Sequence, residues 1–273
     1  VGTKVSIVSH KVQTTRSIIR GIAISGGAQI IFVDTPGVFR PKRQLDRAMV
    51  AAAWGGARDA DLVALLVDSS KGLGEETTDL LTRLAELKQP KILVLNKIDL
   101  VKRETLLGLA EGANRAVAFA RTFMISALTG DGLDDFLAYV AAAVPAGPWL
   151  YPGDEVSDVP IRQLAAEITR EKLIERLHQE LPYQTTVETD QWSEQRDGSV
   201  RIEQTVYVAR DSQKKIVIGR GGAAIKAISM AARAEIAEIV EKPIHLFLFV
   251  KVRQDWADDP ERYRAMGIEF PKD

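Results

Sequence analysis

Ile92-Leu93-Val94-Leu95-Asn96-Lys97-Ile98-Asp99 is the stretch that decides the fold. Four consecutive apolar residues give way at once to a polar loop. An unalternating apolar run of this length fits a strand buried on both faces of a parallel sheet, with the polar residues at its carboxyl end. Comparable runs occupy residues 22–24, 30–33, 62–67 and 122–125, with helical patterns between them such as 77–87 and 133–144. The order predicts a mostly parallel α/β sheet covered by helices over residues 1–145. Ligands of such sheets bind beyond the carboxyl ends of the strands. Asp34, Asn96 and Ser126 each follow an apolar run, so one rim should collect them.

The loop chemistry points to a guanine nucleotide. The Asp99 carboxylate can accept two parallel hydrogen bonds, from N1–H and the exocyclic amine of guanine. Adenine lacks that amine and carries an acceptor at N1, and sites built on such pairing discriminate by about 10⁴-fold or more. Asn96 would tie neighbouring loops to the base edge, and the stem of Lys97 would lie over the ring. A backbone N–H of Ser126-Ala127 could reach the guanine carbonyl. Asp34-Thr35-Pro36-Gly37, after Ile30-Ile31-Phe32-Val33, would hold Mg²⁺ through Asp34 and offer the Gly37 N–H to a γ-phosphate, since no side chain blocks that approach. Upstream, Gln13-Thr14-Thr15-Arg16 supplies a hydroxyl for the same ion, with Thr15 favoured over Thr14. Val38 stands where a water-orienting glutamine would be useful. Hydrolysis by this chain should therefore be slow until an ion or a partner completes the site.

Between Pro145 and Pro160 the prolines at 145, 148, 152 and 160 interrupt regular structure. They mark a linker over residues 146–160 and a second domain over 161–273. That domain reads as a helix over 161–181, a strand near 185–192, and a strand in which Val200, Ile202, Val206 and Val208 alternate with polar residues. A short helix, a second helix and a final strand over 244–252 follow. Gly219-Arg220-Gly221-Gly222 lies between the two helices. Glycines at a helix–turn–helix junction let a sugar–phosphate backbone approach closely, and the helix after it offers unpaired N–H groups. Lys214, Lys215, Arg220, Lys226 and Arg233 surround the loop, and no acidic residue falls between Asp211 and Glu235. The expected ligand is single-stranded RNA.

Composition is consistent with two ordinary domains: of 273 residues, 46% are hydrophobic and 27% charged, with net charge −1. That balance excludes wholesale polyanion binding and leaves room only for a local basic patch. No cysteine is present, which removes disulfides, thiol nucleophiles and Cys-ligated zinc and fits a reducing cytosol. His10, His178 and His245 lack metal-ligand spacing. The apolar runs fall far short of the roughly 20 residues that cross a bilayer, and no leader pattern is seen, so secretion is not expected.

These motifs together resemble the bacterial Era GTPase family. The resemblance runs through residues 5–9 and 13–16, the loops at 34–37, 96–99 and 126–127, Arg170-Glu171-Lys172-Leu173, Leu181-Pro182-Tyr183, Gln213-Lys214-Lys215, residues 218–222, and Trp256-Ala257-Asp258-Asp259. It implies a P-loop-type GTPase domain followed by an α+β KH domain of type II topology. It further implies GTP and GDP with Mg²⁺ as ligands, and the 3′ end of small-subunit ribosomal RNA and the 30S subunit as partners in subunit maturation. A cytoplasmic monomer without a DNA partner is expected, with peripheral inner-membrane association in some members. One departure stands out. The family's G-x-x-x-x-G-K-[ST] loop has no counterpart here, and the chain begins at Val1. The expectation is a piece lacking its first roughly 35–40 residues, hence a strand and the phosphate loop, with weak nucleotide binding as written. The competing readings are a non-hydrolysing KH-type RNA adaptor with a degenerate G domain, and a GTPase whose basic loop grips membrane or protein.

Overall fold

The computed structural model describes residues 1–9, 11, 14–178 and 181–271. His10 and Gln13 lie outside the described residues.

A hairpin opens the regular structure. β1 (Ile19–Ser25) and β2 (Ala28–Asp34) pair antiparallel, from Ile19 opposite Asp34 to Ser25 opposite Ala28. Gly26 and Gly27 make the turn at φ 58° and 84°. Two adjacent left-handed positions are what a two-residue hairpin loop requires, and glycine adopts them without a Cβ clash. Then follow α1 (Gln44–Asp59), β3 (Val63–Asp68), α2 (Glu75–Ala85), β4 (Lys91–Asn96), α3 (Arg103–Ala116), β5 (Arg121–Met124) and α4 (Leu133–Ala143). β3, β4 and β5 form a parallel sheet in that order.

β4 is the centre of this half. Ile92, Leu93, Val94 and Leu95 are all fully buried. Leu93 and Leu95 face Trp54, Leu81, Leu106 and Ala113 on one side, whereas Ile92 and Val94 face Ile30, Phe123 and Val140 on the other. Period-two alternation thus puts neighbouring residues into different cores. The mostly parallel sheet expected from the sequence is present as three parallel strands beside an antiparallel hairpin. The parallel part has three strands, and among the described residues no backbone ladder joins β2 to β3. The Gly-Gly turn forces β1 and β2 antiparallel, and side-chain contact between Ile30 and β4 holds the hairpin to the sheet.

The second half runs α5 (Ile161–Arg176), β6 (Thr185–Glu194), β7 (Val200–Val208), α6 (Asp211–Ile218), α7 (Ala223–Val240) and β8 (Ile244–Val252). β7 lies between its partners, antiparallel to β6 and parallel to β8. This is the type II KH order. α5 and α7 cover one sheet face with Ala165, Ile168, Ala232 and Ile236 against Ile202 and Leu246. A fully buried pair, Thr169 and Gln204, satisfies itself with a 2.6 Å hydrogen bond. The first helix stops five residues short of the expected Leu181, because Leu177 is extended and buries its side chain. A tight turn over Leu181–Gln184 then carries Pro182.

Two features tie the halves together. Residues 146–160 are stitched to the hairpin: Gln29 Oε1 accepts from the Leu150 and Tyr151 amides at 2.8 and 3.0 Å, and Ile22 N–H donates to the Val156 carbonyl at 2.9 Å. α8 (Pro260–Ala265), capped by Asp259, was not apparent in the sequence. It seats Tyr263, with Trp256 and Ile268, against Leu45, Ala48 and Met49 of α1. Burying the larger of these side chains, such as Leu45, Met49 and Ile268, contributes about 1.5–3 kcal/mol each. Among the described residues, no helix is long and apolar enough to cross a membrane.

Candidate functional site

The structure brings Asn96, Lys97, Asp99, Ser126 and Ala127 together at the carboxyl ends of β4 and β5. Asn96 is the knot. Its Oδ1 accepts from Lys97 N–H at 2.8 Å and from Ala127 N–H at 3.0 Å, joining two loops separated in sequence. Lys97 sits at φ 65°, a left-handed position costing a non-glycine residue about 1–2 kcal/mol. The bond to Asn96 and an ion pair from Lys97 Nζ to Asp68 at 2.8 Å hold it there. Desolvation alone would raise the Asp68 carboxyl. Lys97 and the Ser70 hydroxyl and amide outweigh it, leaving Asp68 below the usual carboxylate range. Ile98 N–H donates to the Ile125 carbonyl, and buried Ser126 Oγ accepts from Thr129 N–H at 3.2 Å. Gly132 closes the second loop at φ 73°, where a Cβ would lie 2.4 Å from the Met124 carbonyl oxygen.

The Asp99 carboxylate is exposed at this rim. One sequence expectation changes. The Ser126 and Ala127 amides donate to the Asp131 carbonyl and to Asn96. To reach a base carbonyl, either would have to share or exchange its acceptor.

The second cluster lies at the end of β2. Asp34 Oδ2 accepts from Ser6 Oγ at 2.8 Å and from Thr15 Oγ1 at 3.4 Å. Crowding by neighbouring atoms pushes the Asp34 carboxyl up, and the two hydroxyls only partly offset this. Thr35 packs beside Gly56 of α1, Pro36 is buried, and Gly37 has open space where a Cβ would be. Val38 packs against the core shared by α1, α2 and β3, so it does not line the Asp34 cluster. Ser6 was not singled out by sequence. It sits in a short apolar–polar alternation that carries no chemical signature. One carboxylate with two hydroxyls is a hard-oxygen donor set suited to Mg²⁺. Among the described residues no larger acidic or histidine cluster gathers, so such an ion would fit only if shared with phosphate oxygens and water.

In the other half, α6 ends at Gly219, and Arg220–Gly222 make one tight turn into α7. Gly219, Gly221 and Gly222 all have positive φ, at 75°, 59° and 80°. They differ in surroundings. A Cβ on Gly219 would lie 2.6 Å from the Ala224 Cβ and 2.9 Å from its nitrogen, whereas Gly221 and Gly222 face open space. Gly219 is therefore needed for the turn, and the other two leave its surface open, although the Gly222 and Ala223 amides already donate to the Gly219 and Arg220 carbonyls. Lys215, Arg220, Lys226 and Arg233 are exposed around the loop and Lys214 is half-buried. None of the five pairs with a carboxylate among the described residues.

Comparison with known proteins finds relatives for both halves of the chain. A family model described as a 50S ribosome-binding GTPase matches residues 1–97, and a KH-domain model matches residues 180–257. The chain is similar to GTPase Era of Rhizobium meliloti, 67% identical over all of this chain and 87% of that one. It is 66% identical to GTPase Era of Sinorhizobium medicae, over all of this chain and 88% of that one. Among solved structures, Era in complex with MgGDPNP and nucleotides 1506–1542 of 16S ribosomal RNA superposes with TM-score 0.91 and 34% identity, covering 97% of this chain and 91% of that one. A variant of Aquifex aeolicus Era bound to GDP and AlF4⁻ matches with the same TM-score and coverage. With a relative this similar over the whole of this chain, and with the KH order in place, this chain belongs to the Era family of GTPases.

Proposed function

We propose that the protein hydrolyses GTP at the rim formed by β2, β4 and β5, and grips the single-stranded 3′ end of small-subunit ribosomal RNA with its KH domain during subunit maturation. The observation that carries this reading is the match of both halves, in order, to one solved Era holding a magnesium nucleotide and a 16S ribosomal RNA segment. Residues 1–145 form the nucleotide domain, 146–160 the linker and 161–273 the RNA domain in this reading.

Asp99 pairs with the guanine edge, Lys97 lies over the ring, and Asn96, Ser126 and Ala127 set the geometry of both loops. Asp34 and Thr15 hold Mg²⁺, with Thr35 and Pro36 fixing the turn that presents the Gly37 N–H to the γ-phosphate. When bound, the ion neutralises charge on the phosphate oxygens. With Val38 turned into the core, this position offers water no hydrogen-bonding side chain, which favours slow turnover until an ion or RNA completes the site. Gly219, Gly221 and Gly222 admit the RNA backbone, and Lys214, Lys215, Arg220, Lys226 and Arg233 attract it. The 30S subunit is the proposed assembly partner of a cytoplasmic monomer, with peripheral contact to the inner membrane as a further property inferred from the family resemblance.

The test is GTP turnover by the full-length protein with and without a single-stranded RNA matching the 3′ end of its own small-subunit ribosomal RNA. Slow hydrolysis accelerated by that RNA is expected. Fast turnover indifferent to RNA and potassium would overturn the switch reading.

A further inference from the structure

The segment that supplies Ser6 and Thr15 to Asp34 is fastened along its length to the RNA-binding half. Lys4 Nζ donates to both Glu171 oxygens at 2.9 and 2.7 Å and also pairs with Glu235. Val8 N–H donates to Glu171 Oε1 at 2.7 Å. Lys11 Nζ caps the Ile174 and Leu177 carbonyls at the end of α5. Arg170 donates to the Thr14 carbonyl. Arg16 donates to the Thr185 and Pro182 carbonyls at 2.7 and 3.1 Å and lies near the Trp256 ring. Ile18 N–H reaches the Met266 carbonyl at 3.3 Å.

Three of these anchors are desolvated: Arg16, Arg170 and Glu171 are 4%, 1% and 2% exposed. Buried charge is tolerated only where it is paired, so breaking one partner is costly and the arrangement is specific. Thr15 is bracketed between the anchors at Thr14 and Arg16. A second link runs onward. Lys172 Nζ joins Glu171 at 2.9 Å to Glu235 at 2.6 Å, and Glu235 lies on α7, the helix that begins directly after the glycine turn.

We propose that the described residues between 4 and 18 act as a strap through which the KH domain positions Ser6 and Thr15 against Asp34, with Glu171 and Arg170 as its positioning residues. The proposal rests on the reading of Asp34 and Thr15 as the magnesium end of the nucleotide site. The strap gives RNA a route to that end. A shift of α7 on RNA binding moves Glu235, then Lys4 and Glu171, and so changes how tightly Thr15 is held. By linkage, whatever factor RNA imposes on GTP affinity through this route, GTP must impose on RNA affinity.

The experiment uses the full-length protein and a single-stranded RNA matching the 3′ end of its small-subunit ribosomal RNA. Glu171→Gln, Arg170→Lys and Lys4→Met should each lower kcat for GTP about tenfold, leave KM within about twofold, and remove the RNA effect on kcat. Hydrogen exchange supplies a readout apart from turnover. RNA should change protection of residues 4–18 in the native protein and not in Glu171→Gln, while the Val8 amide should exchange faster in that variant even without nucleotide. Thr15→Ala separates the two layers of the argument. If it leaves kcat intact, the reading of Thr15 fails. If it lowers kcat while the three strap variants keep both native kcat and the RNA response, the strap alone is wrong. Equal loss of stability and RNA binding in Glu171→Gln and Lys4→Met, with no kcat-specific effect, would likewise overturn it.

Discussion

At the proposed base-recognition end, the hydrogen bonds that shape the loops join residues between Asp68 and Asp131: Asn96 to Ala127, Lys97 to Asp68, Ser126 to Thr129 and Asp131. At the other end, Asp34 receives its two hydroxyls from a segment anchored on α5, β6 and the region after α8. One end is assembled within its own domain and rests on the rigid, fully buried β4. The other is assembled across the domain seam. A rigid local site suits a specificity element that must read guanine in every state. A site held from a neighbouring domain suits an element that must respond to that neighbour.

The largest effect should come from inverting the base contact. Asp99→Asn places an amide donor against guanine donors, and GTP affinity should fall by at least about 10³-fold. A xanthine nucleotide, whose C2 carbonyl accepts the new donor, should regain most of it. Nucleotide titration of the full-length protein checks both, and neither number should depend on RNA if this end is truly local.

Gly219→Ala attacks the opposite side of the comparison. The new methyl meets Ala224 at 2.6 Å in a glycine-only backbone region, which should destabilise the KH domain by about 2–4 kcal/mol. RNA binding and RNA-stimulated turnover should be lost while guanine affinity persists. Gly221→Asp adds charge with less strain, because its site is open and Asp tolerates a φ of 59° better than most residues. Its destabilisation should stay near about 1 kcal/mol, while RNA affinity falls roughly tenfold or more as the carboxylate repels phosphate.

Asn96→Ala should weaken GTP and GDP alike by about 10–100-fold, since it unties two loops and orphans the Lys97 and Ala127 amides. A loss confined to GTP would show that the two ends are not separate units.

The same contrast explains what the sequence revealed. That Asn96, Asp99, Ser126 and Ala127 share one rim was legible because they lie in short motifs at strand ends. β4 was legible because burial on both faces leaves an unbroken apolar run. The Ser25-Gly26-Gly27-Ala28 hairpin was not read, although a Gly-Gly pair between two apolar runs is a local signal for it. Ser6 and the partners of Arg16 left no local trace. A hydroxyl reaching Asp34 across 28 residues, or a guanidinium reaching carbonyls more than 160 residues away, is a product of tertiary packing. Likewise α8 and Trp256 acquire their role from α1, which no window of sequence contains.

The mildest effect should appear in the acid dependence of stability. Burial by itself would raise the Glu171 carboxyl, but Lys4, Lys172 and the Val8 amide together hold it below the usual range. A carboxylate with a depressed folded pKa contributes stability that is fully present above its unfolded value, about 4.3, and is lost as pH falls through the folded value. Glu171→Gln removes that contribution at neutral pH and has none left to lose in acid. Denaturation midpoints of the native protein and the variant should therefore differ at pH 7 and converge towards pH 3. Parallel curves for Glu171→Gln and the native protein would mean that the ion pairs joining the strap to α5 contribute nothing to holding the phosphate end in place.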